Sequence, residues 1–322
     1  MEKDIYEHAL SLKNVPEKDI AVRVDHLTKD YGHGRGLFDV SFIVPRGKTF
    51  GYCGTNGAGK TTTLRHIMGF LKPDEGTVTV NGLDAWKNSE EIKKFIGYLP
   101  GEIAFPALES GTEFLKLQAE MLGLHDMSRA EEIISALQLD PTANLRRMSK
   151  GMKQKTALVA AFMHAPEIIL LDEPTTGLDP LMRESFIDII KEEKARGATI
   201  IMSNHMFDEL EETCDYVGFI KDGHLVDVVD MNEINNRPFR EFNISFKNKP
   251  SYEGVDISKV EVLERHPEKY SYVVRVKNAQ LNSLFKELKK WDVTLIKEIQ
   301  YTLEKYFMQN VVGGMVDGKK GK

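Results

Sequence analysis

The sequence predicts an α/β fold: a parallel sheet with helices on both faces, a helical insertion, and a smaller α+β unit behind it. Three observations predict it. Strand-like apolar runs alternate with helix-period segments as far as residue 229. A glycine-rich turn joins one of those strands directly to a helix at residues 54–61. Beyond residue 230 the period shortens to two, as in antiparallel strands.

The elements follow in order. Residues 1–20 are a charged, polar extension without a signal-peptide pattern. "AVRVDHLT" (21–28) and "FDVSFIV" (38–44) alternate apolar and polar residues and read as strands; "KTFGYCG" (48–54) is a third, ending in glycine. "TTTLRHIMGFL" (61–71) reads as a helix stopped by Lys72-Pro73, and "GTVTVNG" as a strand with an Asn-Gly turn. Helical periodicity fills much of 111–139, and another helix spans 149–165 with Ser149 at its N-cap. Strand 167–172, helix 180–196, strand 198–202, helix 206–214 and strands 216–221 and 224–229 complete the first domain, 21–230. Strands at "EFNISFK", "KVEVLER", "YSYVVRVK" and "VTLIKEI" and helices at "AQLNSLFKELKKW" and "TLEKYFMQN" make an accessory domain, 231–310. The glycine- and lysine-rich tail, 311–322, reads as disordered.

The composition bounds the function. The chain has 322 residues, 29% charged, with a net charge of −6. An acidic balance argues against a nucleic-acid surface. Two cysteines, Cys53 and Cys214, suggest neither a disulfide framework nor a zinc site. No apolar run reaches the roughly 18–20 residues that span a bilayer, so the reading is cytoplasmic unless a partner recruits the chain to a membrane.

"GTNGAGKTT" (54–62) carries the first chemistry. It follows a strand, opens a helix, and matches G-x-x-x-x-G-K-[ST] at Gly54, Gly59, Lys60 and Thr61. Backbone N–H groups from Gly54 through Asn56, Gly57, Ala58 and Gly59 to Thr62 would cradle phosphates at a helix N-terminus. Lys60 would reach the β- and γ-phosphates, and the Thr61 hydroxyl would bind Mg²⁺. "GHGRG" (32–36) has no helix behind it and reads as a flexible loop.

The second chemistry is "LLDEPTTGLDP" (170–180), an apolar strand that runs into Asp172 and Glu173. Alone, such a pair would be a solvated strand end. Behind a phosphate loop, Asp172 would face Mg²⁺ and Glu173 would orient a water in line with the γ-phosphate.

Five further motifs occur in order: "KDYG" with Tyr31, "IGYLPGE" (96–102), "MSKGMKQK" (148–155), "GLDP" (177–180) and "SNH" (203–205). Together with the phosphate loop they resemble the nucleotide-binding subunit of ATP-binding-cassette (ABC) transporters over residues 20–230, most of all those of multidrug or antibiotic export. The resemblance implies a P-loop NTPase, RecA-like core with an antiparallel β subdomain and a helical subdomain at about 103–165. It implies that Tyr31 stacks on adenine. It implies that Ser149 and Gly151 contact the γ-phosphate of the opposite subunit's ATP, that Asp179 communicates across the dimer, and that His205 touches the γ-phosphate and supports Glu173. Each also has a plainer reading: surface tyrosine, helix cap, solvated turn acid, structural histidine. The expected loop glutamine after "YLP" is replaced by Gly101, and Glu102 is the candidate substitute as a metal-side oxygen.

The function this implies is ATP hydrolysis, with Mg²⁺, by a homodimer or a heterodimer with another such ATPase. It would power a separate membrane permease, docked on the inner face of the cell membrane through the helical insertion (103–145) and the loop at 98–108. Alternatives are a translation or DNA-associated cassette ATPase and a regulatory nucleotide-binding module. A single cassette, an acidic charge and no long coiled coil argue against the first. The presence of Lys60, Glu173 and His205 argues against the second.

Overall fold

The computed structural model describes residues 15–312, and the chain divides into two compact units, the first ending at Met231 and the second starting at Asn232. Residues 1–14 of the extension, and the tail from 313, lie outside the described residues. Glu17–Asp19 form a short 3₁₀ turn, and Ile20 already opens the first strand.

The first unit is built on a six-stranded sheet ordered β10-β9-β3-β8-β7-β6. Strands β3 (Thr49–Cys53), β6 (Ile96–Leu99), β7 (Ile168–Asp172), β8 (Thr199–Asn204) and β9 (Tyr216–Lys221) run parallel. Only β10 (His224–Asp230), a hairpin partner of β9, reverses. Every residue of β3, β7 and β8 is buried, which explains their unbroken apolar runs: a parallel sheet covered on both faces gives no period-two pattern. A second, antiparallel sheet is ordered β2-β1-β4-β5, from β1 (Ile20–Asp30), β2 (Gly36–Pro45), β4 (Glu75–Val80) and β5 (Leu83–Asp84). One core joins the two sheets. Val22, Val24 and Phe42 of the second pack with Phe50, Leu170 and Ile201 of the first, and Phe42 stacks on Phe50 at 4.9 Å.

The helical insertion consists of Gly111–Leu122, Ser128–Ala136 and Lys150–Phe162. Ser110 caps the first by accepting from the Glu113 amide, and Gly123, at φ 65°, ends it. The helix expected over 61–71 is shorter, Lys60–Ile67. Gly69, at φ 66°, turns the chain left-handed, and Phe70 N–H bonds back to the Arg65 carbonyl in a Schellman closure. A Cβ at Gly69 would lie 2.2 Å from the Ala85 carbonyl oxygen, so only glycine fits this stop. Proline at 73 was the more visible signal, but the glycine acts first.

The second unit carries an antiparallel sheet ordered β12-β13-β11-β14: Glu261–His266, Ser271–Lys277, Phe239–Phe246 and Val293–Ile299. Phe242, Ile244, Val274 and Val276 pack with Leu284 and Leu288 of the helix Leu281–Leu288, and Tyr252 stacks on Tyr272 at 4.3 Å. Glu241 alternates with Phe242 on β11 and so belongs to the other face. There it binds Arg275 at 2.9 Å and Lys305 at 2.7 Å. The last expected helix, 302–310, is α-helical only over Leu303–Tyr306 and widens to a π-helical turn at Phe307–Val312.

Candidate nucleotide site

The loop after β3 is glycine-rich for reasons the packing makes explicit. A Cβ at Gly54 would lie 2.4 Å from the Ile220 carbonyl oxygen. Gly59 has φ 115°, and a Cβ there would lie 2.5 Å from a Leu37 methyl. Gly57 also has positive φ, 82°. The backbone therefore turns where side chains cannot, and Lys60 starts the following helix. Ala58 is buried, and its carbonyl accepts from the Gly223 amide at 3.1 Å. Cys53, at the strand end, is pushed up to about 11 by burial, which outweighs the nearby Lys60, so it holds no thiolate at neutral pH.

Lys60 curls back over this loop. Its ammonium donates to the Gly54 carbonyl at 2.7 Å and the Thr55 carbonyl at 3.3 Å, and lies 3.6 Å from Glu173 Oε1. Asp172, only 1% exposed, accepts from Thr61 Oγ1 at 2.7 Å on one oxygen and from Ser203 Oγ at 2.6 Å on the other. Two hydroxyl donors make this buried carboxylate tolerable at the end of an apolar strand. Glu173 has φ 50°, an unusual backbone for a non-glycine residue. The turn is held by its own amide, bonded to Ser203 Oγ at 3.0 Å, and by Gln154, whose amide donates to the Glu173 and Pro174 carbonyls at 3.3 and 2.7 Å. Adjacent acids thus take different directions although they share a strand end.

These groups line a cavity of about 480 Å³, within the size range of ligand sites. Tyr31, Asn56, Gly57, Gly59, Lys60, Thr61, Thr62, Glu102, Asp172 and Glu173 all reach it, and Arg35 and Arg65 add two cations that the sequence reading did not single out. Tyr31 is 49% exposed, an open aromatic at the rim. Gly101 also lines the cavity; a Cβ there would lie 2.9 Å from Asp172 Oδ2. Among the described residues no group of three or more His, Cys, Asp or Glu could hold a metal. The donors present, one hydroxyl and one carboxylate, suit an ion that takes few protein oxygens and completes its shell with phosphate and water, as Mg²⁺ does.

Gly54 and Ala58 shape the loop without lining the cavity, and four further predicted residues lie away from it. Ser149 caps the helix Lys150–Phe162, accepting from the Met152 amide at 3.2 Å. Gly151 abuts the next motif, because a Cβ there would lie 2.7 Å from the Gly177 carbonyl oxygen. Asp179 caps the helix Pro180–Arg196 through the Met182 amide at 3.0 Å. His205 is exposed, with its amide on Asn204 Oδ1 at 2.7 Å. In a single chain these are surface features.

A second cavity, of about 280 Å³, lies where β6 and its loop meet the helical insertion. Tyr98, Pro100, Ile103, Phe105, Phe114 and Leu122 line it, and Phe105 meets Phe114 edge-on at 4.7 Å.

A family profile described as ABC transporter matches residues 37–176, from β2 through both acids. The bacitracin transport ATP-binding protein of Bacillus licheniformis is 32% identical over 314 residues, covering 92% of this chain and 98% of that protein. The chain belongs to the ABC transporter ATPase family. The linearmycin resistance ATP-binding protein of Bacillus subtilis is 33% identical, over 67% of this chain and 71% of its own. A solved ATP-binding subunit of an ABC transporter superposes with TM-score 0.62 at 31% identity, covering 67% of this chain and 92% of that one. A dimeric ATP-binding cassette solved with ADP and phosphate shares the fold at TM-score 0.59 and 24% identity. This ABC ATPase is therefore an ATP-binding, ATP-hydrolysing subunit of a transporter. No described helix is long and apolar enough to cross a membrane. The translation-type, DNA-associated and regulatory readings are not favoured.

Proposed function

We propose that the chain hydrolyses Mg²⁺-ATP at the interface of a head-to-tail dimer and drives export through a permease docked on its helical insertion, at the inner face of the cell membrane. One observation carries the reading. Thr61 and Asp172, 2.7 Å apart, close the metal side of a glycine cradle, and the next residue, Glu173, turns into the same cavity. Tyr31 takes the adenine at the rim. Thr61 and Asp172 would hold Mg²⁺, which would supply neutralisation of the charge that develops on the phosphates. Lys60 leaves Glu173 for the β- and γ-phosphates, and Glu173 then orients the attacking water as general base. His205 supports Glu173 at the γ-phosphate. Ser149 and Gly151 serve the partner subunit's nucleotide, and Asp179 lies across the same interface. Their surface positions in a single chain fit that arrangement. The cavity at Tyr98, Phe105 and Phe114, whose lining also includes Lys93, Gln118 and His164, is the seat for a permease segment.

Glu173→Gln tests the chemistry. The variant should bind ATP as the parent does, release phosphate on the order of 10²–10⁴ times more slowly, and form an ATP-dependent dimer by light scattering. Phosphate release at the parental rate would remove Glu173 from the reaction.

A further inference from the structure

One buried carboxylate outside the nucleotide cavity gathers three of the segments just described. Glu209 lies in the short helix Phe207–Thr213 and is 5% exposed. Its Oε2 accepts from Thr175 Oγ1 at 2.7 Å, in the turn two residues after Glu173. The same oxygen accepts from Asn204 Nδ2 at 2.5 Å. Asn204 in turn uses its own Oδ1 to hold the amides of His205 and Met206, at 2.7 and 2.9 Å. Glu209 thus orients the amide that fixes the backbone carrying His205.

The other oxygen is different. Oε1 is buried and has no hydrogen-bond partner, and the nearest cation, Arg183 Nε, is likewise buried and unpartnered. They stand 3.9 Å apart. Arg183 belongs to the helix capped by Asp179 and is otherwise tied by Nη1 to Met206 Sδ at 3.4 Å. A buried carboxylate oxygen and a buried guanidinium N–H left unbonded is an expensive arrangement. A movement of about 1 Å would bring them to charge-assisted hydrogen-bond distance.

We propose that Glu209 is the positioning residue of His205: a carboxylate clamp that ties the histidine loop to the turn after Glu173, and whose open contact with Arg183 closes when the Asp179 helix shifts toward it. The inference rests on the reading of His205 as a residue of the hydrolytic site. Glu209 itself touches no part of the nucleotide cavity. Its effect therefore falls on turnover and not on nucleotide affinity. A misplacement of about 1 Å at such a group can cost on the order of 100-fold in rate.

The test uses the full chain and two near-isosteric variants. Glu209→Gln keeps the volume and removes the charge that Arg183 faces. Thr175→Val removes one donor and leaves the carboxylate in place. Hydrogen exchange read on the His205 and Met206 amides needs no catalytic activity. It should quicken in Glu209→Gln, and less in Thr175→Val, while the P-loop helix Lys60–Ile67 keeps its protection. ATP affinity should stay within about two-fold and turnover should fall roughly 10- to 100-fold. In a His205→Ala background Glu209→Gln should cost nothing further, since both act through one group. Unchanged exchange at 205 and 206, or a loss spread equally over the P-loop helix, would overturn the clamp. So would multiplicative losses in the double variant. Parental turnover in His205→Ala alone would instead strike the reading of the histidine, with the exchange result still deciding the clamp.

Discussion

Replacing Gly101 with alanine adds one methyl group beside the carboxylate that holds the metal side of the cavity. The added carbon would stand 2.9 Å from Asp172 Oδ2 and 3.2 Å from its Cγ. A carboxylate on a free side chain would swing away at little cost. This one cannot, because Oδ1 is held by Ser203 at 2.6 Å and Oδ2 by Thr61 at 2.7 Å. Relief by a few tenths of an ångström pulls Oδ2 off Thr61, the bond that aligns the two Mg²⁺-side oxygens. Hydrogen bonds to charged groups contribute about 1.5–3 kcal/mol. We expect Gly101→Ala to weaken Mg²⁺-ATP binding by roughly 10- to 100-fold, the same energy expressed as an equilibrium constant. ATP in the presence of EDTA should bind as before, because the glycine cradle and Lys60 are untouched. Titration calorimetry with and without Mg²⁺ measures both. Equal Mg²⁺-ATP affinity in parent and variant would refute the reasoning, since Asp172 would then have room to yield.

Two further outcomes are expected. Glu102→Ala, removing the cavity carboxylate next to Gly101, should shift the Mg²⁺ titration of hydrolysis while metal-free ATP binding stays the same; an unchanged titration assigns Glu102 to solvent. In the second unit burial pushes the Glu241 carboxyl up, but Lys305 and Arg275 win and hold it below the ordinary 4.5. Stability from that site is therefore complete above about 4.5 and lost as pH falls through the folded-state value. Followed by Trp291 fluorescence in a Trp86→Phe background, Glu241→Gln should flatten the acid dependence below pH 4.5, and a profile parallel to the parent would exclude this cluster.

What was legible in the sequence was local. The strand, glycine turn and helix around Lys60 announce themselves within ten residues, and Pro180–Arg196 matches its expected bounds because Asp179 and Gly197 cap it. The contacts that tune the site are not local. Ser203 reaches Asp172 across 31 positions, Gln154 reaches Pro174 across 20, and Thr175 reaches Glu209 across 34. Ser203 and Gln154 both stood inside quoted motifs without being singled out, and Glu209 looked like an ordinary helical polar residue. Gly101 looked like a missing glutamine; only the distance to Asp172 shows that its lack of a side chain makes room for one.

The pairing of Lys60 with Glu173 also bears on how a highly charged ligand gets in. Asp172, Glu173 and Glu102 bring three negative groups to the cavity, set against the guanidinium groups of Arg35 and Arg65. With the ammonium 3.6 Å from Glu173, one of those charges is already cancelled before anything arrives. The lysine has three N–H bonds to give, and two point at loop carbonyls of Gly54 and Thr55. A phosphate oxygen that captures it must outbid the acid, so entry of the anion and release of the carboxylate become a single exchange. Lys60 keeps the acid occupied, and the negative charge of an arriving phosphate is what sets it free.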